Sequence, residues 1–169
     1  MAVSSPVLVG MAELYVRKGE GQFTCLGLGS CIGLAAVDPL TKVGGMVHIM
    51  LPEAFPDKPV DKPGKFADTG VRQFLADLES MGASKSRLRW AMAGGAQVFK
   101  FGDGSPNRMD IGARNALAVK QILSGIGARI VAQEVGGHEG RTMIMTLETG
   151  GVRVRSVSSG ERDLCNLLA

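Results

Sequence analysis

The chain has 169 residues, of which 45% are hydrophobic and 21% charged, and its net charge at pH 7 is +3. This length and balance are typical of one soluble globular domain with a sizeable core. No apolar run is long enough to cross a membrane, the first residues lack the regions of a signal peptide, and the basic residues are scattered, so we expect no membrane insertion and no nucleic-acid surface.

The cysteines and histidines do not indicate a disulfide framework or a metal site. Three cysteines without a CxxC pair favour a reducing cytoplasm. The two histidines, His48 and His138, lie in neither an HExxH motif nor a close Cys/His pair, so no metal is expected. Gly27 and Gly29 lack the further glycine and the following helix of a dinucleotide site, and no Walker sequence is present. No cofactor is therefore expected.

Glycines separate short apolar runs in the first third of the chain. These runs predict strands over 7–16, with a break near Gly10, and over 22–28, 31–37 and 43–51. The turn signal Asp38-Pro39 joins the last two strands, so they should form a hairpin within one sheet.

The middle of the chain contains a proline-rich segment and two amphipathic stretches. Four prolines within 52–65 predict a surface loop that either carries substrate contacts or simply connects two elements. Apolar residues at three- and four-residue spacings predict one helix over 66–81, ended by Gly82, and a second over 112–124, ended by Gly125 to Gly127.

Further strands are predicted over 88–93, 128–134, 142–147 and 152–157. Residues 136–140 should form an exposed turn that leaves His138 in solvent, and 160–169 show no assignable role. We therefore expect one α/β domain over 1–169, with its core at about 7–160, a mixed sheet and at least two packed helices.

Cys31 and His48 are a candidate catalytic pair. Cys31 directly follows the small-residue run 27–30, and His48 lies seventeen positions later within an apolar run. A cysteine thiolate is a nucleophile, and a histidine can accept its proton and return it to a leaving group. Backbone N–H groups at Gly29 and Ser30 could stabilise an oxyanion. The alternative is that the cysteine is a small core hydrophobe and the histidine a buried core residue.

Several motifs follow one another in a specific order. They are 26–31 with Cys31, Asp38-Pro39, 44–52 with His48, 61–69, 93–96, 111–115, Gly136-Gly137 and the strand around Arg153. In this order, over about residues 7–160, the chain resembles the CheD family, the chemoreceptor glutamine deamidases.

This resemblance implies an α/β sandwich similar to that of deamidating bacterial toxins. It also implies an enzyme that converts selected glutamines of methyl-accepting chemotaxis receptors to glutamate, releases ammonia and uses no cofactor. Receptor methyl-ester hydrolysis is a further implied activity. The implied protein partner is a CheC-type phosphatase, which competes with the receptor.

The resemblance also assigns residue roles. Cys31 matches the nucleophile, and His48 matches the general base and acid. The family's third residue is a threonine six positions before the nucleophile, where this chain has Cys25. Its neighbour Thr24 would point to the other strand face unless the strand bulges. We therefore expect Cys25 as the third residue, although a thiol is a weaker hydrogen-bond partner than a hydroxyl, with Thr24 as the alternative.

Two other function classes remain open. One is a binding module that regulates a phosphatase without useful catalysis, for which Cys25 is the sequence support. The other is an unrelated thiol hydrolase acting on a small amide. The matching segment 52–69 counts against the small-amide hydrolase, because such a substrate would not need an extended protein-binding loop.

Overall fold

A computed structural model describes residues 6–98 and 110–169 of the chain. Their strands and helices are, in chain order, β1 Pro6–Leu8, β2 Leu14–Lys18, β3 Gln22–Leu28, β4 Ile32–Asp38, β5 Val43–Ile49, α1 Ala67–Ser80, β6 Arg89–Gly94, α2 Ile111–Gly125, β7 Arg129–Val135, β8 Arg141–Thr146, β9 Gly151–Ser156 and β10 Gly160–Asn166. A short 3₁₀ turn at Pro63–Lys65 precedes α1. No helix within these two ranges is both long and apolar enough to span a bilayer.

The strands form two five-stranded sheets. One has the order β1-β3-β8-β9-β10 and the other the order β2-β5-β4-β6-β7. Each is mixed, because β1 pairs with β3 and β6 with β7 in parallel, whereas the other neighbours are antiparallel. The predicted α/β class is confirmed, with two mixed sheets where the sequence indicated one. The likeness to bacterial toxins stays a prediction.

The second sheet lies between the helices and the first sheet. Along β4, Ile32 and Leu34 belong to the core under α1 and α2, whereas Ala35 and Val37 belong to the layer between the sheets. All seven residues of β4 and of β5 are buried, because both faces of these central strands are covered. The layer between the two sheets is called the inter-sheet layer below.

Most of the predicted elements are confirmed. Both helices, the β4–β5 hairpin and the strands after residue 88 lie within one or two residues of their predicted bounds. The predicted strand 7–16 breaks near Gly10, and its halves join different sheets as β1 and β2. The loop after β5 is largely exposed, as is His138.

The C-terminal segment is the clearest difference from the sequence prediction. Residues 160–166, for which the sequence indicated no role, form β10 at the edge of the first sheet, antiparallel to β9. A register shift between Asp163 and Cys165 interrupts the strand. This bulge breaks the strict alternation by which a strand is recognised in a sequence.

The buried carboxylate of Asp38 holds the hairpin turn. It accepts backbone N–H groups from Leu40 and Thr41 within the turn and from Ser84 after α1, and Arg87 pairs with it at 2.9 Å. Burial by itself would raise the pKa of this carboxyl. The hydrogen bonds outweigh that effect, with the largest contribution from Arg87, and lower the pKa to about 2. Asp38 thereby ties the β4–β5 hairpin to the connection between α1 and β6.

Replacing Asp38 should therefore cost stability in a pH-dependent way. An unfolded aspartate has a pKa of about 3.9, so the lower folded pKa stabilises the protein fully above about pH 4 and loses its effect toward pH 2. We expect Asp38→Asn to lower the free energy of unfolding at pH 7 by about 2 kcal/mol, as measured by urea denaturation. The difference from the wild type should narrow as the pH falls from 4 to 2.

Asp57→Asn is the matched control, because Asp57 lies exposed in the loop after β5. It should change the free energy of unfolding by no more than about 0.5 kcal/mol. If the loss of unfolding free energy in Asp38→Asn stays constant between pH 4 and pH 2, the role given to the ionised carboxylate is contradicted.

Candidate active site

The register of the hairpin places Cys31 and His48 on one face of the sheet. Gly33 of β4 lies directly opposite His48 of β5, and Cys31 precedes Gly33 by two positions. Cys31 lies in the bend just before β4 and packs against the same core cluster as Met46, which precedes His48 by two positions on β5, so the two side chains point to the same side. Diagonal neighbours of this kind are separated by about 7 Å in a regular sheet, within reach of longer side chains.

That shared face is the inter-sheet layer. A Cβ built on Gly33 would meet Met143 and Leu28 of the first sheet, and Cys31 packs against the same layer. His48 is only 3% exposed, whereas Cys31 is partly exposed. The pair therefore lies at the end of the inter-sheet layer, with the thiol nearer to solvent than the imidazole.

Backbone groups hold His48 on both sides. Its N–H donates to the carbonyl of Glu13 at 3.0 Å, and its carbonyl accepts the N–H of Ala12 at 2.9 Å. The ring Nδ1 lies 2.9 Å from the carbonyl oxygen of Val9. A carbonyl can only accept, so Nδ1 carries the proton and Nε2 keeps its lone pair. This tautomer is the one required of a general base acting through Nε2.

Pairing with β3 fixes the carbonyl that orients the ring. The N–H of Val9 donates to the carbonyl of Thr24 at 2.8 Å, directly after the parallel pairing of β1 with β3. Val9 is 1% exposed and belongs to the inter-sheet core. The backbone of Thr24 thus holds Val9, and the backbone of Val9 holds His48.

The loop before Cys31 is held through three consecutive carbonyls. These carbonyls accept hydrogen bonds of 2.8–2.9 Å: Gly29 from the N–H of Ala96, Ser30 from the side-chain amide of Asn115, and Cys31 from the N–H of Gly95. Within residues 6–98 and 110–169, the N–H groups of Gly29 to Cys31 donate to no backbone carbonyl. They are suitable donors to an oxyanion.

Close backbone contacts around this loop require glycine. Gly94 has φ +114°, and a Cβ there would lie 2.1 Å from the carbonyl oxygen of Cys31. A Cβ on Gly112, in the first turn of α2, would lie 2.5 Å from the carbonyl oxygen of Ala96. The segments 93–96 and 111–115 therefore meet next to the 29–31 loop and could not do so with side chains at Gly94 and Gly112.

Burial keeps both members of the pair uncharged at rest. It raises the pKa of the Cys31 thiol, because a thiolate would lose hydration. Burial also lowers the pKa of His48, although the Val9 carbonyl and the nearby Glu13 carboxylate act in the opposite direction. Both groups therefore rest uncharged, and the Cys31 sulfur must lose its proton before it can act as a thiolate nucleophile.

Cys25 and Thr24 are the two residues expected at the third position. Within the described residues, neither side chain forms a hydrogen bond with His48. The Cys25 thiol is fully buried in the inter-sheet core, with its sulfur 3.4 Å from that of Met46. Burial raises the pKa of the Cys25 thiol, and the negative charge of a Cys31 thiolate would raise it further. β3 has an irregular register between Cys25 and Leu28, one residue after Thr24. The role of either residue toward His48 stays a prediction.

Sequence reasoning did not single out Val9 and Asn115 as site residues. The contribution of Val9 is a carbonyl, which every residue possesses, so no side-chain pattern could reveal it. Asn115 did leave a signal, because it is a polar residue in the apolar stripe of α2 that continues through Val119. Apart from the masked stretches, no three side chains of His, Cys, Asp or Glu lie close enough together to hold a metal ion.

Similarity to known proteins covers almost the entire chain. Residues 50–156 match the family model CheD, described as CheD chemotactic sensory transduction. A protein of Desulforamulus reducens named probable chemoreceptor glutamine deamidase CheD is 43% identical over 92% of this chain and 93% of its own length. The chemoreceptor glutamine deamidase CheD of Thermotoga maritima is 41% identical over 92% of this chain and 94% of its own length.

The ionisation of His48 can be measured without a substrate. We expect an NMR titration to give His48 a pKa below the ordinary 6.5, because burial disfavours the imidazolium. Glu13→Gln should lower the pKa of His48 further, since the Glu13 carboxylate stabilises the charged ring. His138→Gln assigns the two histidine signals. A His48 pKa above 6.5, or a rise in Glu13→Gln, would contradict this electrostatic account.

Proposed function

The chain belongs to the CheD family, and we propose that it deamidates glutamine side chains of chemoreceptors through Cys31 and His48. Relatives that align over more than nine-tenths of the chain carry this activity in their names. The observation that carries the mechanism is the β4–β5 register, which puts a partly exposed cysteine and a buried, oriented histidine on one sheet face. Catalysis by a positioned thiol and base requires this arrangement.

In the first step, Nε2 of His48 takes the proton of the Cys31 thiol as sulfur attacks the carboxamide carbon of the substrate glutamine. The hydrogen bond from Nδ1–H to the Val9 carbonyl stabilises the imidazolium that forms. Because both groups start uncharged, charge separation appears only when the sulfur attacks an electrophile.

The attack converts the carbonyl oxygen of the carboxamide into an oxyanion. We place it against the backbone N–H groups of the 29–31 loop, with Gly29 and Ser30 as the candidate donors. The carbonyls of Gly29 and Ser30 share their peptide planes with the N–H groups of Ser30 and Cys31, so the hydrogen bonds that these carbonyls accept orient those two N–H groups before the substrate arrives. Donors that are already oriented stabilise a developing charge without a further cost of reorganisation.

His48 then returns its proton to the nitrogen of the carboxamide, and the carbon–nitrogen bond breaks to release ammonia. A thioester between the substrate and Cys31 remains. His48 next removes a proton from water, and the hydroxide attacks the thioester carbon. The sulfur leaves and is reprotonated, so the products are a glutamate side chain and the free Cys31 thiol.

We place the protein in the cytoplasm, where its three free cysteines would stay reduced. The substrates are methyl-accepting chemotaxis receptors, with methyl-ester hydrolysis as an accompanying activity on the same proteins. A CheC-type phosphatase is the proposed regulatory partner. The chemistry uses Cys31, His48 and water, and the family resemblance implies no cofactor.

Loss of the thiol should abolish the reaction. We expect Cys31→Ala to form no glutamate from a purified receptor cytoplasmic fragment, as measured by mass spectrometry of its peptides, while its circular dichroism spectrum matches the wild type. Cys165→Ala is the matched control, because Cys165 lies in β10. Glutamate formation by Cys31→Ala at the wild-type rate would refute the proposed nucleophile.

His48→Gln keeps a polar side chain of similar size but has no basic group. It should lower the rate of glutamate formation by about 10²–10⁴-fold. A variant that loses melting temperature but retains its specific activity would support a packing role for His48. It would also favour a mechanism in which a group other than His48 accepts the thiol proton.

The third position needs a separate set of variants. If Cys25 supports His48, Cys25→Thr should leave the activity equal or higher, and Cys25→Ala should cost about 0.5–1.5 kcal/mol of transition-state stabilisation. If the Thr24 hydroxyl does so instead, Thr24→Val should be the damaging change and Cys25→Ala nearly silent. Activity lost in Cys25→Thr with the fold retained would count against Cys25. If all three variants keep the wild-type kcat, the Val9 carbonyl is sufficient to orient the ring.

A further inference from the structure

We propose that Asn115 is a positioning residue that fixes the separation between Cys31 and His48. It does not touch the reacting atoms in the proposed mechanism, and its role here rests on the proposed deamidation. Its side-chain amide nitrogen donates to the carbonyl of Ser30 at 2.9 Å and to the carbonyl of Met50 at 2.8 Å. Ser30 directly precedes the nucleophile, and Met50 follows the proposed base by two positions. A single NH₂ group thus bridges the chain segments that carry the two catalytic groups.

Only a side chain with two hydrogens on one atom can make this bridge. Both partners are carbonyl oxygens, so both hydrogen bonds need a donor from Asn115. An aspartate would put oxygen lone pairs against the carbonyls, and a serine hydroxyl has a single hydrogen. Asn115 is completely buried, so solvent does not reach the position to replace a lost donor. The geometry therefore specifies the asparagine amide and its orientation.

The bridge is anchored firmly at both ends. The N–H of Met50 donates to the carbonyl of Lys65 at 2.9 Å, which restrains the segment after β5 from its other side. Asp110 caps α2 by accepting the N–H of Ala113 at 2.9 Å, and Gly112 brings the first turn of α2 against the carbonyls of residues 95 and 96. Asn115 therefore projects from a fixed helix terminus, and its loss should let the 29–31 loop and the segment after β5 move apart.

Packing alone does not call for an amide at this place. The neighbours of Asn115 on the buried face of α2 are Ala116, Val119 and Leu123, all of which belong to the helix–sheet core. Its Oδ1 is buried and has no partner in the described ranges. A polar side chain kept in an apolar stripe, with one of its two polar atoms unpaired, indicates that the donated hydrogen bonds serve the site.

The experiment compares Asn115→Ala with Val119→Ala, one helical turn further along the same buried face. Both remove core volume, but only the first removes the bridge. At a temperature where circular dichroism shows both variants folded, we expect Asn115→Ala to lower kcat for receptor deamidation by about 10²-fold with little change in KM. Val119→Ala should retain its kcat while losing melting temperature. If Asn115→Ala does not fold, Asn115→Leu, which keeps the volume and donates no hydrogen bond, takes its place.

A double-mutant cycle with His48→Gln separates positioning from general destabilisation. His48→Gln should cost much less kcat in the Asn115→Ala background than in the wild type or in Val119→Ala, because the histidine is no longer aligned with the thiol. The same cycle is measured with the rate of Cys31 alkylation by iodoacetamide, followed by peptide mass spectrometry. Alkylation needs no receptor, so it tests the bridge even if deamidation fails.

Two results would overturn the proposal. One is an Asn115→Ala protein that is folded and keeps both kcat and the Cys31 alkylation rate within about two-fold of the wild type. The other is an equal cost of His48→Gln in the wild-type and Asn115→Ala backgrounds. Loss of deamidation by the wild type together with an intact alkylation cycle would refute the proposed function and leave the bridge standing.

Discussion

The pairing of β4 with β5 puts the Cys31 thiol and the His48 imidazole on one sheet face, and the rest of the fold keeps that pairing in one register. Gly33 opposite His48 puts Cys31 on the same face as the ring, and a slip by one residue would send one of them to the helix side. Asp38 fixes the turn at one end of the hairpin, and Asn115 bridges the two strand extensions at the other. Polar groups at both ends thus restrain a hairpin whose middle is apolar.

Side-chain patterning was sufficient to predict the parts of the fold that depend on it. The apolar periodicity of 66–81 and 112–124 identified both helices, because each buries one stripe against the sheet. Asp38-Pro39 identified the hairpin turn. Cys31 and His48 were predicted as a catalytic pair because their side chains have reactivity that few other residues possess, and that role stays a prediction. The α/β class followed from these elements without knowledge of how the strands are arranged.

The arrangement of the strands and the support of the site depend on backbone groups, which a sequence pattern does not reveal. The run 7–16 divides between two sheets at a bend near Gly10, and that bend presents the Val9 carbonyl to His48. Parallel pairing of β1 with β3 joins segments whose contact follows from the tertiary fold. The polar position of Asn115 in an apolar stripe was visible, but its two acceptors are carbonyls that lie 65 and 85 positions away.

Burial of the pair has a chemical consequence that favours a specific reaction over general thiol reactivity. Desolvation raises the pKa of Cys31 and lowers that of His48, so the ion pair that would make the sulfur reactive is disfavoured in the resting protein. The thiolate is the form that reacts with oxidants and other electrophiles, so a neutral Cys31 reacts with them more slowly than a thiolate would. In the proposed mechanism, a bound carboxamide changes this balance only if its oxygen reaches the N–H groups of the 29–31 loop, which would stabilise the oxyanion formed when the sulfur attacks. The backbone contacts that hold this loop and orient the imidazole therefore link the reactivity of the thiol to correct placement of a substrate.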